Sequence, residues 1–409
     1  MSIANSSSVG PGWPRVPFAK ALRDDTASQP KVLRRDYLDK GVLPVVDQGA
    51  SAVAGYTDDR SMAYRGTLPV ILFGDHTRLV KYVDFPFALG ADGVKVLEPT
   101  RAYDAKCLYY YLSATDIPQR GYSRHFQFLR EIEFPLPPPS EQRRIVEILD
   151  QADCLRRLRA EADAKADRIL PALFIKVFGD PLSLAKDPRA KPLSSLRVGL
   201  QNGFACGEKD VEGGLPHLRM NNIADSGELD LALLRRVPRD FDTERYRLRP
   251  GDVLFMSTNS EDKVGKACVF DLDASEAYSF SNHLIRIRIE DPDLEPSYLA
   301  TFFHSLWRVR YFRGIAKRWV NQSAVSKEAL GRVPVVAFPK GLQSAFSAAY
   351  ERYRSLKAQR AAARDALERM FQTLLRLAFS GELTASWRET HMKQLLQEME
   401  QQAKALTTG

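Results

Sequence analysis

The chain has 409 residues, enough for two or three domains with a sizeable buried core in each. Its residues are 44% hydrophobic and 27% charged, which excludes a disordered tail protein, a collagen-like fibre and a disulfide-stapled secreted module. A net charge of +8 admits nucleic acid as a partner without demanding it. No apolar run approaches the ~18 residues that cross a bilayer, so no membrane partner is expected. The polar start, residues 1–14, predicts no secretory leader. Cys107, Cys154, Cys206 and Cys268 lie far apart with no CxxC pair, as expected of free thiols in a reducing, cytoplasmic setting. The six histidines are scattered, and no metal site is predicted.

In chain order, residues 1–12 read as a flexible tail and 13–139 as a strand-rich domain. Segments 41–46 (GVLPVV) and 68–73 (LPVILF) are short, rich in Val, Ile and Leu, and bounded by Gly or Pro. A short apolar helix follows at 108–113. Residues 140–180 then show helical periodicity, and three prolines mark 181–192 as a linker. A second strand-rich domain is expected over 193–339, with strands at 252–256 (DVLFM) and 284–289 (LIRIRI). A second long helix covers 340–380. The tail, 381–409, carries an amphipathic stretch through Met392, Leu395, Met399, Ala403 and Leu406.

The two halves are one pattern written twice. A shift of 201 positions places Ile145, Ile148, Ala152, Leu155, Ala162, Ala166, Ile169 and Leu173 on Phe346, Ala349, Tyr353, Leu356, Ala363, Leu367, Met370 and Leu374. The spacing alternates three and four, a coiled-coil seam. A proline-punctuated entry precedes each helix, and a basic-Gly-basic-aromatic stretch precedes each entry. The fold class expected is therefore α+β, with two strand-rich domains in tandem, separated by two long antiparallel helices with pseudo-two-fold symmetry. A 39-residue helix is ~58 Å long, so it pairs with its duplicate or offers a face to a partner. Two similar domains on such a spacer suit two half-sites of duplex DNA, whose groove faces recur every ~34 Å.

The basic stretches carry the nucleic-acid signal. Residues 307–319 (WRVRYFRGIAKRW) hold five basic residues, four aromatics and no acid; residues 118–130 (PQRGYSRHFQFLR) hold three basic residues, His125 and no acid. Arg and Lys neutralise phosphates, while aromatic rings pack on sugars and base edges. The competing reading is an amphipathic helix with core aromatics and solvated arginines. Candidate DNA contacts in the first half are His76, Thr77, Arg78, Lys81, Arg120, Arg124 and His125. In the second half they are Thr258, Asn259, Ser260, Lys263, Arg313, Lys317, Arg318, Asn321 and Gln322. Asn and Gln suit adenine and Arg suits guanine, although such residues also bond their own turns. Partner-docking candidates on the long helices are Arg143, Ile148, Leu155, Ile169, Tyr353, Leu356, Leu367 and Leu374. One enzyme-like constellation, Asp252 with Glu261 and Lys263, loosely resembles an Mg²⁺-dependent nuclease. It keeps open the alternative of a self-contained DNA-cutting or DNA-modifying enzyme.

Several stretches resemble the specificity subunit of Type I restriction–modification systems. They are Pro135-Leu-Pro-Pro-Pro-Ser-Glu-Gln142, Leu173-Phe-Ile-Lys-Val-Phe-Gly-Asp-Pro181 and Ala378-Phe-Ser-Gly-Glu-Leu-Thr384. Segments 71–77, 88–93 and 248–254 resemble that family's target-recognition domains. The resemblance implies a non-catalytic subunit that reads a bipartite double-stranded DNA target. It implies docking of two modification subunits, adenine methyltransferases using S-adenosylmethionine, and of up to two restriction subunits using ATP and Mg²⁺. No cofactor is implied for this chain itself.

Overall fold

The computed structural model describes residues 12–91, 93–118, 124–207, 210–239, 243–272, 276–320 and 322–408. The chain divides into two compact units, Met1–Ala160 with Ala363–Gly409, and Glu161–Ala362. The division falls within both long helices, so each helix contributes one end to each unit.

In the first unit, Leu22–Asp24, Val94–Pro99, Val70–Gly74 and Val80–Val83 form an antiparallel sheet in that spatial order. A second sheet runs Lys31–Val32, Ala88–Gly90, Leu43–Val46, Gly55–Thr57, with its first three strands mutually parallel and the last antiparallel. Strand alternation builds the layers. Ile71 and Phe73 face the helix Ala105–Ala114, packing with Cys107, Leu108 and Tyr111. Val70 and Leu72 face the other way, onto Val46, Phe87 and Leu89 near the second sheet. The result is helix, sheet, sheet.

The second unit repeats this plan. Val198–Asn202, Leu284–Ile289, Val253–Met256 and Ala267–Val269 form the antiparallel sheet. Arg235–Val237, Leu215–Leu218 and Ser279–Phe280 form the second, with the last pair parallel. Val253 and Phe255 face the helix Pro296–Arg308, packing with Leu299, Phe302 and Phe303. Leu254 and Met256 face Leu218 and Phe280. The expected α+β class and the two strand-rich domains are thus present.

The helical segments differ from expectation in three ways. The first long helix, Pro139–Ala166, stops, and a separate helix runs Ile169–Phe178. Pro171 explains the break: it lacks the N–H that would bond Asp167, and its ring opposes that carbonyl. At the third position of the new helix it costs no intrahelical bond. The second long helix, Lys340–Ser380, is unbroken.

Second, the seam is not one continuous apolar strip. Its ends serve the unit cores: Ile145, Leu149 and Ala152 pack with Phe371, Leu375 and Ala378 in the first unit, and Phe346, Tyr350 and Tyr353 with Leu170 and Phe174 in the second. Toward the helix middles the contacts are ionic. Arg156 pairs with Glu368 at 2.6 Å within the first unit, and Arg360 with Asp163 at 2.8 Å within the second.

Third, residues 181–192 are not a free linker. Pro181 and Leu184 are buried, and Lys191–Pro192 pairs antiparallel with Pro334–Val335. The C-terminal helix, Ala385–Thr408, docks through Leu395 of the expected stripe, but also through Glu398 and Gln402 outside it, and Met392 of the stripe is exposed.

Candidate nucleic-acid interface

In each unit three loops leave the equivalent ends of three strands. In the first unit they follow Leu43–Val46, Val70–Gly74 and Ala88–Gly90; in the second they follow Leu215–Leu218, Val253–Met256 and Ser279–Phe280.

The first-unit loops are bonded to one another. His76 N–H donates to Gln48 Oε1 (3.2 Å), and Thr77 Oγ1 donates to the Gln48 carbonyl (2.8 Å). Lys81 Nζ donates to the carbonyls of Asp47 (2.7 Å) and Ser51 (2.6 Å). Burial holds the Lys81 amine below the usual lysine range. Gly93 adopts φ +69°, and a Cβ there would stand 2.7 Å from His76 Cδ2, so the approach of the third loop requires glycine. Arg78 also has positive φ, and its guanidinium donates to the Ile117 carbonyl (2.9 Å).

His125 is not a surface group. It is 1% exposed, and both its N–H and its Nδ1 donate to the Asp75 carbonyl at 2.9 Å. Asp75, itself buried, accepts Phe126 N–H at 2.8 Å. His125 is therefore a strut beneath the turn, a correction to its assignment as a DNA contact. Arg124 is exposed. Arg120 and Asn321 lie outside the described residues.

In the second unit, Thr258–Asn259, Ser323–Ala324 and Lys317–Arg318 form a small antiparallel sheet. This pairing brings two distant candidate stretches together. The N–H groups of Ser257 and Thr258 both donate to the His283 carbonyl (2.9 and 3.3 Å), tying this sheet to the third loop. Asn259 is occupied locally, accepting Ser260 N–H at 2.7 Å. Arg318 pairs with Glu261 at 3.0 Å and Arg313 reaches it at 3.8 Å. Lys263, Lys317 and Gln322 are exposed.

The main feature not read from the sequence is a cavity of about 450 Å³. Cys206, His217, Arg219, Asn221, Arg235 and Asn282 help to line it, and among the described residues that line it none is acidic. Burial and the adjacent Arg219 charge push His217 down to about 4, so its ring is neutral at pH 7. Burial and Arg235 pull the Arg219 guanidinium below its ordinary value. Two cations held against one another mark a place suited to an anion or to the acceptor edge of a base. The lining residues come from several separate stretches, and only the equivalence of strand-end loops would have pointed to them.

The nuclease-like constellation does not assemble. Arg288 grips both oxygens of Asp252, at 2.9 and 2.7 Å, and Arg249 N–H donates to the second at 2.8 Å. Glu261 is taken by Arg313 and Arg318. Among the described residues no group of three His, Cys, Asp or Glu could hold a metal ion.

Of the docking candidates, Arg143, Leu155, Ile169 and Leu356 are exposed, and Ile148, Leu367 and Leu374 are half-buried. Tyr353 is a core residue of the second unit, a correction to its assignment to a docking face. Leu158, 56% exposed, adds to the apolar surface of the first long helix.

The class defined by this fold is a duplicated, helix-backed double-sheet protein with polar loops gathered at one end of each copy. Residues 33–163 match the family model described as the Type I restriction modification DNA specificity domain. The chain is 28% identical over 154 residues to a putative type I restriction enzyme MjaX specificity subunit from Methanocaldococcus jannaschii, covering 37% of this chain and 36% of that one. It is 25% identical over 281 residues to the EcoKI specificity subunit of Escherichia coli K12, covering 63% and 59%. The matched stretches thus span between about a third and three fifths of these curated relatives. The crystal structure of the S subunit of a Type I restriction-modification system from M. genitalium superposes with a TM-score of 0.53 at 14% identity, covering 93% of this chain and 99% of that one. A solved chain of the type I R-M system, from work on its complex assembly and conformational transition, superposes at 0.51 with 19% identity, covering 91% and 99%. The fold is shared with both. The chain is thus similar to Type I restriction–modification specificity subunits, through the matched domain at residues 33–163 and through the fold.

Proposed function

We propose that this chain is the DNA-reading subunit of a Type I restriction–modification complex, with no catalysis of its own. One observation carries the reading: the same sheet-and-helix scaffold occurs twice, while the loops at its equivalent ends differ in chemistry. Gln48, His76, Thr77 and Arg124 occupy the first copy; Arg219, Asn221, Thr258, Arg235 and Asn282 occupy the second. A constant support with variable polar loops is what reading two different half-sites requires. Lys263, Lys317 and Arg318 contact phosphate, whereas Arg78 and Lys81, whose donors serve carbonyls, shape the first-copy loops.

The exposed Leu155, Leu158, Ile169 and Leu356 on the long helices form the docking surface for two modification subunits, with up to two restriction subunits joining them. S-adenosylmethionine, ATP and Mg²⁺ belong to those partners. A cytoplasmic location follows from DNA as substrate, and no described helix is long and apolar enough to cross a membrane.

Replacing residues 13–134 with the matching domain of a relative, followed by methylome sequencing of the host, tests the reading. One half of the methylated sequence should change while the other stays. A swap that alters both halves, or neither, defeats the assignment of one half-site to each unit.

A further inference from the structure

In the second unit the chain makes a narrow hairpin beyond the loop that follows Val253–Met256. Lys317 lies opposite Ala324 and Arg318 opposite Ser323; the ladder then continues with Trp319 N–H donating to the Gln322 carbonyl at 2.7 Å. The hairpin tip therefore begins at Val320. Here the sequence places its bulk where packing cannot reach it. Trp319 is 55% exposed and Val320 99% exposed. Exposed positions at the end of a hairpin ordinarily carry polar side chains, which keep apolar surface out of water. A Trp–Val pair held outward forfeits the stabilisation that burial would give both side chains.

The surroundings identify what covers it. Lys317 stands 5.6 Å from the centre of the Trp319 ring, Arg318 follows directly, and Glu261 holds Arg318 and Arg313 at the base of the hairpin. The hairpin is hydrogen-bonded through Ser323–Ala324 to Thr258–Asn259, whose loop is tied to His283 beside the cavity. The apolar tip thus rises from the same end of the domain as the polar loops, and cations flank it. Charge complementarity favours a polyanion, and an apolar tip between cationic arms fits the stacked interior of a duplex reached past its phosphates.

We propose that Trp319 and Val320 form a wedge that enters a base step of the half-site read by the second unit, unstacking it and kinking the duplex. This rests on the DNA-reading function proposed above. The wedge gives specificity by deformability: pyrimidine–purine steps open most easily and are preferred at that position, without any hydrogen bond to the base edges. Lys317 and Arg318 hold the strands on either side of the opened step. Side chains of this kind kink DNA by about 20–90°.

The full chain, assembled with its modification subunits, is bound to duplexes carrying the methylated target and labelled at both ends for energy transfer. Permanganate reactivity of thymines placed at successive steps reports unstacking. The wild type should raise energy transfer and expose one step, in one half-site only. Trp319→Ala combined with Val320→Ala should abolish both signals and weaken specific binding about tenfold. Trp319→Phe should retain them. Thermal unfolding of each variant should stay close to the wild type, since Val320 is almost wholly exposed and Trp319 more than half exposed.

Wild-type binding to the target with unchanged energy transfer and no reactive thymine overturns the wedge and leaves the reading function intact. Loss of assembly with the modification subunits in the double variant, with DNA bending unchanged, makes the tip a protein contact instead. Failure of the wild type to discriminate its target from a scrambled duplex defeats the reading function itself.

Discussion

Gln142 and Gln343, 201 residues apart, make the same three hydrogen bonds in the two units. Gln142 Oε1 accepts Asp104 N–H (2.7 Å), and its Nε2 donates to the carbonyls of Ala102 (3.1 Å) and Pro137 (2.8 Å). Gln343 Oε1 accepts Glu295 N–H (3.0 Å), and its Nε2 donates to Asp293 (2.7 Å) and Phe338 (2.6 Å). Both side chains are essentially fully buried. Asp104 and Glu295 are the residues preceding the domain helices Ala105–Ala114 and Pro296–Arg308. Each glutamine therefore fastens the start of a domain helix to the turn that enters a long helix.

Gln142→Ala and Gln343→Ala should each orphan three buried backbone groups and cost roughly 2–4 kcal/mol. Hydrogen exchange should show the loss in Ala105–Ala114 for the first variant and in Pro296–Arg308 for the second. Equal loosening of both helices by either variant would contradict this local role.

Glu261 restrains two arginines on the proposed DNA side. Glu261→Gln should tighten binding to non-specific duplex by about two- to fivefold at low salt, with the gain fading as salt rises. Lys317→Ala with Arg318→Ala should lower the log–log salt slope by about 1.8, at ~0.9 for each phosphate no longer neutralised. Fluorescence anisotropy across a salt series measures both.

Asp252→Ala should act on stability and not on any DNA cleavage. It leaves the largely buried Arg288 guanidinium and Arg249 N–H without their carboxylate, at a cost of about 3 kcal/mol. Urea unfolding should show the loss. Nicking assays with Mg²⁺ should be blank for both wild type and variant; a wild-type signal that the substitution removes would restore the nuclease reading.

Acid should weaken the second unit well before general carboxylate protonation. Burial, with Arg219 beside it, holds His217 at about 4, and burial, with Arg308 beside it, holds His304 at about 4, against an ordinary 6.5. Below pH 6.5 the unfolded chain takes up protons that the folded rings refuse. Stability therefore falls between pH 6.5 and 4, by up to about 3 kcal/mol per ring, and is unaffected by these groups above pH 6.5. His304→Gln should flatten the melting temperature against pH in that window; an unchanged slope would discount His304.

The strands at 41–46, 68–73, 252–256 and 284–289 were legible because each is a short apolar run between turn residues, and the structure places strands there. The duplication was legible for the same reason: the seam repeats, and the two antiparallel sheets share one strand order. What the seam residues touch was not legible. Three-four spacing is common to a helix paired with a helix and to one laid on a domain core, so Tyr353 and Leu356 looked alike although one is buried and the other exposed. Pro171 was a readable break that the continuing apolar pattern hid. His125 and Asp252 read as surface chemistry because their partners, Asp75 and Arg288, are set by the fold and not by spacing. The cavity around Arg219, Arg235 and Asn282 joins separate stretches that no local pattern connects.

Glu141 has no exposed surface and gathers groups from far along the chain. Trp13 Nε1 donates to it at 2.9 Å, Thr384 Oγ1 at 2.6 Å, and Arg388 at 2.9 and 2.7 Å. The equivalent position in the second copy is Leu342, which is exposed. This sets an order of events on the ribosome. The second unit is one continuous stretch and has all its residues once position 362 has emerged, whereas the first, though translated earlier, waits for Phe371, Leu375, Ala378 and Phe379 to fill its core and for Arg388 to neutralise its buried carboxylate. Until then the nascent first domain carries an unpaired charge and an open apolar face, so the half made first is the half finished last.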